Sequence, residues 1–278
     1  MIVALKTVDR SPKQNFVEHT LASMFAKDLR VERYAPIRII TDGEDMSFLG
    51  PWQTDPRLLV ERSGDQRPVR ELMQDAPTLH ARVVMADVRA MQSVPAGQAI
   101  LLLEDDLEFA PRWLERTERI VERIRADIGS TRFMLVLYTP WPFTSEDRVQ
   151  FEFAEREGYC ACIRPTYYGS QAIYYGAEAL QTVLGDMRQL GLGERRMPND
   201  MVVRHVSQER DVPLLAAVPS LVQHLGVEST WSACDQATMH HSPTFRDEDE
   251  RLAKRTVEVT AEHVAGASMA DVLRSVGQ

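Results

Sequence analysis

Three carboxylates stand side by side at Glu104, Asp105 and Asp106, directly behind the apolar run Ala99–Leu103. Adjacent anions repel unless something positive lies among them. Acidic residues often follow a strand only to cap the next helix or to face water. The chemical alternative is that two carboxylates at a strand end hold a hard divalent cation, which in turn holds phosphate oxygens. His224 lies in the apolar stretch "VPSLVQHLGVEST", where an imidazole is either a satisfied core group or a ligand. Asp200 opens the segment "NDMVVRHV" behind Pro198. It is either a helix-start carboxylate favoured by the dipole or a general base. Gly169, between Tyr168 and Ser170, marks either a plain strand-end turn or a close backbone approach that only glycine permits.

These residues need a scaffold, and the pattern around them is that of an α/β protein. "IVAL" reads as a first strand, "IRIITDG" as a second, "RLLVE" as a weaker third and "AILLL" as the strand that delivers the carboxylates. Helical periodicity fills the gaps. "NFVEHTLASMFAKDL" has Asn15 as its expected N-cap with Glu18 three residues on. Thr78–Met91 reads as a helix. So does the segment after Pro111, where Leu114, Thr117, Val121, Ile124 and Ile128 share a face and Gly129 is the stop. "FMLVLY" reads as a further strand, and "VQFEFA" with "YCACI" as a hairpin. "AEALQTVLGDMRQL" and "NDMVVRHV" read as helices, and "LLAAV" and "LVQHL" as short late strands. Alternation of this kind predicts a mostly parallel sheet flanked by helices. Ligands of such sheets bind beyond the carboxyl ends of the strands, where Asp42 and the three carboxylates fall. The expected organisation is one domain over 1–240, with a nucleotide-binding half (1–110) and an acceptor and catalytic half (111–240). A C-terminal loop and helix over 241–278 follow.

Bulk properties narrow the function. The 278 residues carry 41 acidic against 32 basic side chains, a formal net charge of −9. That balance argues against a nucleic-acid partner, which needs a basic surface. The three cysteines, Cys160, Cys162 and Cys234, are too few and too unpaired for a disulfide framework, and Cys160 and Cys162 read as alternate positions on a strand. The first apolar run is too short for a signal peptide, and no stretch reaches membrane-spanning length, so a cytoplasmic protein with no transmembrane segment is expected. The adjacent His240 and His241 read as loop, since neighbouring residues rarely share a metal.

Four motifs occur in a fixed order: "LLLEDDLEF", "TYYGSQAIYY", "MPNDMVVRH" and "VPSLVQHLGVEST". In these the sequence resembles the metal-dependent GT-A fold glycosyltransferases. It is most similar to the N-acetylglucosaminyltransferase-IV-like group, on "PSLVQHLG" followed by Ser229 and Thr230. The lipooligosaccharide glycosyltransferase family is a near second. The similarity spans roughly the first 230 residues and is strong only in the motifs. It implies a GT-A type, Rossmann-like sheet and an inverting transfer of a hexosyl or N-acetylhexosaminyl group from a nucleoside-diphosphate sugar, with UDP the expected nucleotide. Asp106 would be the principal metal ligand and His224 would complete the protein ligands. Mn²⁺ is the expected ion, with Mg²⁺ as a substitute. Glu104 replaces the first Asp of the family's common motif, which leaves open whether Glu104 or Asp105 meets metal or ribose. Gly169 would lie near the donor sugar and acceptor, and Asp200 would take the proton of the acceptor hydroxyl. Thr7 and Arg10 would touch the nucleotide, and Asp42 its base or ribose. A basic residue near the diphosphate is expected from Arg82 or Arg89. Gly226 would let the backbone pass close to a phosphate. The acceptor would be a glycan, a lipid-linked glycan or a small molecule, met by loops at 140–148 and beyond Trp231.

Two other functions fit parts of the pattern. A sugar-phosphate nucleotidyltransferase would use a similar fold and metal, but it usually carries a glycine-rich loop after the first strand, and "TVDRSPKQN" has no glycine. A non-catalytic nucleotide-sugar-binding protein on a decayed transferase fold would keep the pocket and lose the base, yet Asp200 is present.

Overall fold

Most of the apolar runs that read as strands lie in one eight-stranded sheet, which also takes in Ala172–Tyr175, a strand the sequence reading does not assign. The computed structural model describes residues 1–9, 15–41, 45–62, 76–138, 158–161, 169–225, 242 and 244–245. In chain order the strands are β1 (Ile2–Thr7), β2 (Ile37–Thr41), β3 (Leu58–Arg62), β4 (Ile100–Leu103), β5 (Leu107–Phe109), β6 (Met134–Val136), β7 (Tyr159–Ala161), β8 (Ala172–Tyr175), β9 (Leu214–Ala217) and β10 (Val222–His224). The large sheet has the order β3-β2-β1-β4-β8-β6-β9-β7, and β10 pairs with β5 in a separate two-stranded ribbon. β3, β2, β1 and β4 are parallel, as are β6 and β9. β8 runs antiparallel between β4 and β6, and β7 antiparallel on β9. Strands β4 and β8 are buried throughout, which is why the sequence shows continuous apolar runs there and not an alternation.

The helices are α1 (Val17–Lys27), α2 (Ala76–Gln92), α3 (Trp113–Ile128), α4 (Ala177–Asp186) and α5 (Asn199–Glu209). α2 packs on β1, β2 and β4. α3 buries Leu114, Thr117, Ile120 and Ile124 and half-buries Val121 and Ile128, so the expected face is the one that meets the core. Its end is also as expected: Gly129 takes φ 74°, a left-handed value that costs glycine little, and its N–H returns to the Arg125 carbonyl. Its start has no cap of its own, because Arg112 precedes it with left-handed backbone. Asp28, beyond the end of α1, does the capping across space. Its Oδ2 accepts from the N–H groups of Leu114 (3.0 Å) and Glu115 (2.9 Å).

Three details differ from the sequence reading. Asn15 does not cap α1. Phe16 holds that position without a side-chain hydrogen bond, and the Asn15 amide donates to Asp9 instead. The buried Val17, Leu21 and Met24 hold the helix in place, and such packing outweighs a single cap. The segment after the carboxylates is also not simply a lead into α3. Leu107–Phe109 forms β5, whose N–H groups at Leu107 and Phe109 are taken by Thr20 Oγ1 (2.9 Å) and Ser23 Oγ (3.0 Å) of α1. The chain near Ser242 and Thr244 is buried under β10, where Thr244 Oγ1 accepts from the Ser220 N–H and Gln223 Oε1 from the Ser242 N–H. The "VQFEFA" half of the expected hairpin and the expected C-terminal helix lie outside the described residues. Among the described residues, no helix is long and apolar enough to cross a membrane.

Asp28 ties α1 to α3 through two otherwise unsatisfied donors. Asp28→Ala should therefore lower the unfolding free energy by about 2 kcal/mol in denaturant titration. A loss below about 0.5 kcal/mol, the range of an ordinary surface change, would contradict that role.

Candidate functional site

Parallel pairing decides what the first carboxylate meets. Leu5 is level with Leu103 in the β1–β4 register, so the next residues along, Lys6 and Glu104, leave the two strands side by side. The Lys6 ammonium lies 3.2 Å from Glu104 Oε1 and 2.8 Å from Asp87 Oδ1 on α2. Thr7 Oγ1 donates to Asp105 Oδ2 at 2.6 Å. Asp106 Oδ2 lies 3.1 Å from His224 Nε2, because β10 runs antiparallel to β5 and brings His224 level with Leu107. The backbone makes the same join, with the Leu225 N–H donating to the Asp106 carbonyl at 2.7 Å. The three adjacent carboxylates thus point to three different partners. A positive charge does lie among them, on Lys6, and it is delivered by the neighbouring strand.

Burial sharpens these contacts. Asp87, Asp105 and Asp106 are 1%, 3% and 4% exposed. For Lys6, burial alone would favour the neutral amine, but Asp87 and Glu104 outweigh it and hold the ammonium above its ordinary range. Glu104 is pushed up, first by burial and then by the charges of Asp106 and Asp87, against the pull of Lys6 and His224. The Tyr138 ring backs the imidazole of His224 at 6.1 Å between centroids.

The antiparallel β8 supplies the opposite wall. It begins where β4 ends, with Ala172 level with Leu103 and the Glu104 N–H on the Gln171 carbonyl at 2.7 Å. Gly169 and Ser170 therefore enter at the carboxylates. Gly169 has φ 87°, and a Cβ there would meet the Gln171 side chain at 2.4 Å. Its N–H donates to Asp200 Oδ2 at 3.4 Å. Asp200 sits in the first turn of α5, half-buried, with Oδ1 on the Met201 N–H. Asn199, just before it, donates from Nδ2 to Asp87 Oδ2 (3.1 Å) and to Ser170 Oγ (2.6 Å). Ser170 in turn donates to Glu104 Oε1 at 3.4 Å.

Of the residues expected from sequence, Thr7, Glu104, Asp105, Asp106, Gly169, Asp200 and His224 meet at this one edge of the sheet. Arg82 is buried on α2 and Arg89 is exposed. Arg10, Asp42 and Gly226, with the loop at 140–148 and, beyond Trp231, all but residues 242, 244 and 245, lie outside the described residues. Four participants had no assigned role: Lys6, Asp87, Ser170 and Asn199. Lys6 carried a signal, as a cation one step beyond an apolar strand core. Asp87 sits in the apolar stretch "VVMADVRAM", where a buried carboxylate needs a partner. Among the described residues, no group of three or more His, Cys, Asp or Glu is arranged to hold a metal. The pair that could share one is Asp106 with His224. Their contacting atoms, 3.1 Å apart, are one hard oxygen and one imidazole nitrogen, a donor set that would suit a divalent cation.

No protein-family model matches the chain, and no curated protein matches it. Solved structures do. GalNAc-T7 with UDP, GalNAc and Mn²⁺ superposes with a TM-score of 0.54 at 12% identity, over 84% of this chain and 44% of that one. The chain thus spans less than half the length of that enzyme. Apo mouse xyloside xylosyltransferase 1 matches at TM-score 0.39 and 13% identity, over 77% of this chain and 83% of that one. Galactosyltransferase LgtC with donor and acceptor sugar analogues matches at 0.39 and 8%, over 76% and 66%. At that TM-score the last two carry no argument about this chain. The mixed sheet with flanking helices has the fold of the GT-A glycosyltransferases.

Removing Lys6 would leave Asp87 and Glu104 facing one another without their shared counter-ion. Lys6→Met should destabilise the protein by about 3–5 kcal/mol at neutral pH. Glu104 already has a raised folded-state value, and without Lys6 it rises further, so its protonation relieves the loss. The gap from wild type should narrow as the pH falls from about 7 to about 5. Denaturant titrations across that range check it. A variant as stable as wild type, or a gap that widens with acid, would contradict the pairing.

Proposed function

We propose that the chain is a metal-dependent, inverting glycosyltransferase that moves a sugar from a nucleoside-diphosphate sugar, a UDP-sugar, to an acceptor hydroxyl. The single observation that supports this best is the separation of two carboxylate sites on one sheet edge. Asp106 pairs with an imidazole, and Asp200 stands apart from it at the glycine turn. The fold match to an enzyme that holds UDP, GalNAc and Mn²⁺ supports the same reading.

The donor set at Asp106 and His224, one hard oxygen ligand and one imidazole, suits Mn²⁺ and can accept Mg²⁺. With only two protein ligands, most of the coordination sphere would be left for diphosphate oxygens and water. When bound, the ion would offset charge on the departing diphosphate. The rest belongs to the protein's own side chains. Asp105, held by Thr7, and Glu104, held by Lys6, would face the nucleotide side of the pocket as oriented acceptors. Gly169 would let the donor sugar approach the backbone. Asp200 would accept the proton of the acceptor hydroxyl as that oxygen attacks the anomeric carbon from the face opposite the diphosphate. Direct displacement of this kind inverts the anomeric configuration. A carboxylate outside the metal pair is what an inverting base requires.

Binding and turnover separate the two roles. UDP should bind wild type in Mn²⁺ and lose affinity with chelator. Asp106→Ala and His224→Ala should each weaken that binding by more than about tenfold while melting as wild type does without ligand. Asp200→Asn should keep UDP affinity but cut turnover of UDP-glucose, UDP-galactose or their N-acetylamino forms by ~10²–10⁴, read as UDP release. Chelator-independent binding would sink the metal assignment. Near-normal turnover in Asp200→Asn, or a product with the donor's anomeric configuration, would sink the base.

A further inference from the structure

Five side chains close a ring of polar contacts at this edge of the sheet. Lys6 meets Asp87 and Glu104. Asp87 Oδ2 accepts from Asn199, Asn199 donates to Ser170, and Ser170 donates back to Glu104. The ring joins β1, α2, the end of β4, the entry to β8 and the start of α5. Asn199 is its one link to α5. An amide has two N–H donors and a carbonyl acceptor, and every role is filled here. The N–H₂ group serves Asp87 and Ser170, and Oδ1 accepts from the Asp200 N–H at 3.0 Å. That last donor is one of the N–H groups a helix start leaves unsatisfied, and Pro198 at the N-cap offers it no side chain.

We propose that Asn199 is the positioning residue of the reaction: it clamps the start of α5 to the buried Lys6–Asp87–Glu104 cluster, and so sets where the Asp200 carboxylate stands. The proposal rests on Asp200 acting as the base. Its geometric content is specific. Asp200 is held at three points, by the Gly169 N–H at its Oδ2, by the Met201 N–H at its Oδ1 and by Asn199 at its own backbone N–H. The Met201 contact lies within α5 and the Gly169 contact is long, so Asn199 is the short tie from that turn to the neighbouring elements. The Lys6–Asp87 pair is what makes the clamp rigid, since Asp87 is fixed at 1% exposure by an ammonium. A carboxylate at position 199 would have no donor for Asp87 or Ser170 and would place two anions in contact.

The test is a double-mutant cycle of wild type, Asn199→Asp, Asp87→Asn and the double variant, with Asn199→Ala alongside. Each is assayed for UDP affinity in Mn²⁺, for melting temperature, and for kcat with whichever of the four UDP-sugars gives wild type its greatest UDP release. Asn199→Ala should lower kcat by roughly tenfold to a hundredfold, the usual effect of a misplaced group, with UDP affinity and melting close to wild type. Asn199→Asp should be worse, and the double variant should lose less than the two single losses combined, because Asn at 87 can donate to Asp at 199. Unchanged kcat in Asn199→Ala would overturn the proposal. So would losses of kcat in the double variant that equal or exceed the two single losses combined, or a loss of UDP affinity in Asn199→Ala as large as its loss of kcat. Asp200→Asn is run alongside. If it keeps turnover, the base assignment fails and this proposal with it. If it loses turnover while Asn199→Ala does not, only the clamp fails.

Discussion

Lys6 lies at 7% exposure between Asp87 and Glu104, and an ammonium taken that far out of water is tolerable only with anions against it. Such a group is poor evidence for net stability, since desolvation cancels much of the attraction. What it supplies is orientation. It turns Glu104 away from its two neighbours, so the repulsion built into three successive carboxylates is relieved one residue at a time. Thr7, the next residue on the same strand, does the same for Asp105 by hydrogen bonding. β1 therefore sorts the acidic motif, and Asp106 alone is left facing the imidazole of His224.

The sheet's departures from a simple parallel order bring the remaining groups to this point. In a run of parallel strands, only the carboxyl ends meet at the ligand edge. Because β8 runs the other way, its beginning arrives there instead, with Gly169 and Ser170. The β5–β10 ribbon lies off the main sheet and returns the late chain to the acidic motif. It is held by Thr20 and Ser23 of α1, by the Ala110 N–H on the Leu221 carbonyl, and by the buried Ser242 and Thr244. α5 then enters with its first turn toward the pocket. Each exception places one residue type: a glycine turn, an imidazole, a carboxylate.

Much of the scaffold was legible because burial writes itself into composition. β1, β2, β4, β6 and β9 are apolar runs of the right length, and α3 shows its stripe and its glycine stop; β8, four residues inside the motif around Gly169, is not read as a strand from the sequence. The acidic motif, Gly169, Asp200 and His224 stood out as chemistry-bearing types at element ends. The short β5 was hidden, since three residues carry too little pattern and its hydrogen bonds go to α1 side chains. The pairings were hidden for a different reason. Thr7 and Asp105 are 98 residues apart, and Asp106 and His224 are 118 apart, so only strand register determines that they touch. Lys6, Asp87 and Asn199 are ordinary types in ordinary patterns, and their importance exists only once five elements are packed together.

The central claim is that partner side chains divide the three carboxylates, leaving Asp106 with His224 as the protein's share of a metal site. Anomalous diffraction at the manganese edge, from crystals grown with UDP and Mn²⁺, tests it most directly. The account predicts one manganese peak in contact with Asp106 and His224, with Glu104 still on Lys6 and Asp105 still on Thr7. A peak coordinated by Glu104 or Asp105 with His224 turned away, or bound UDP with no manganese beside Asp106, would contradict it.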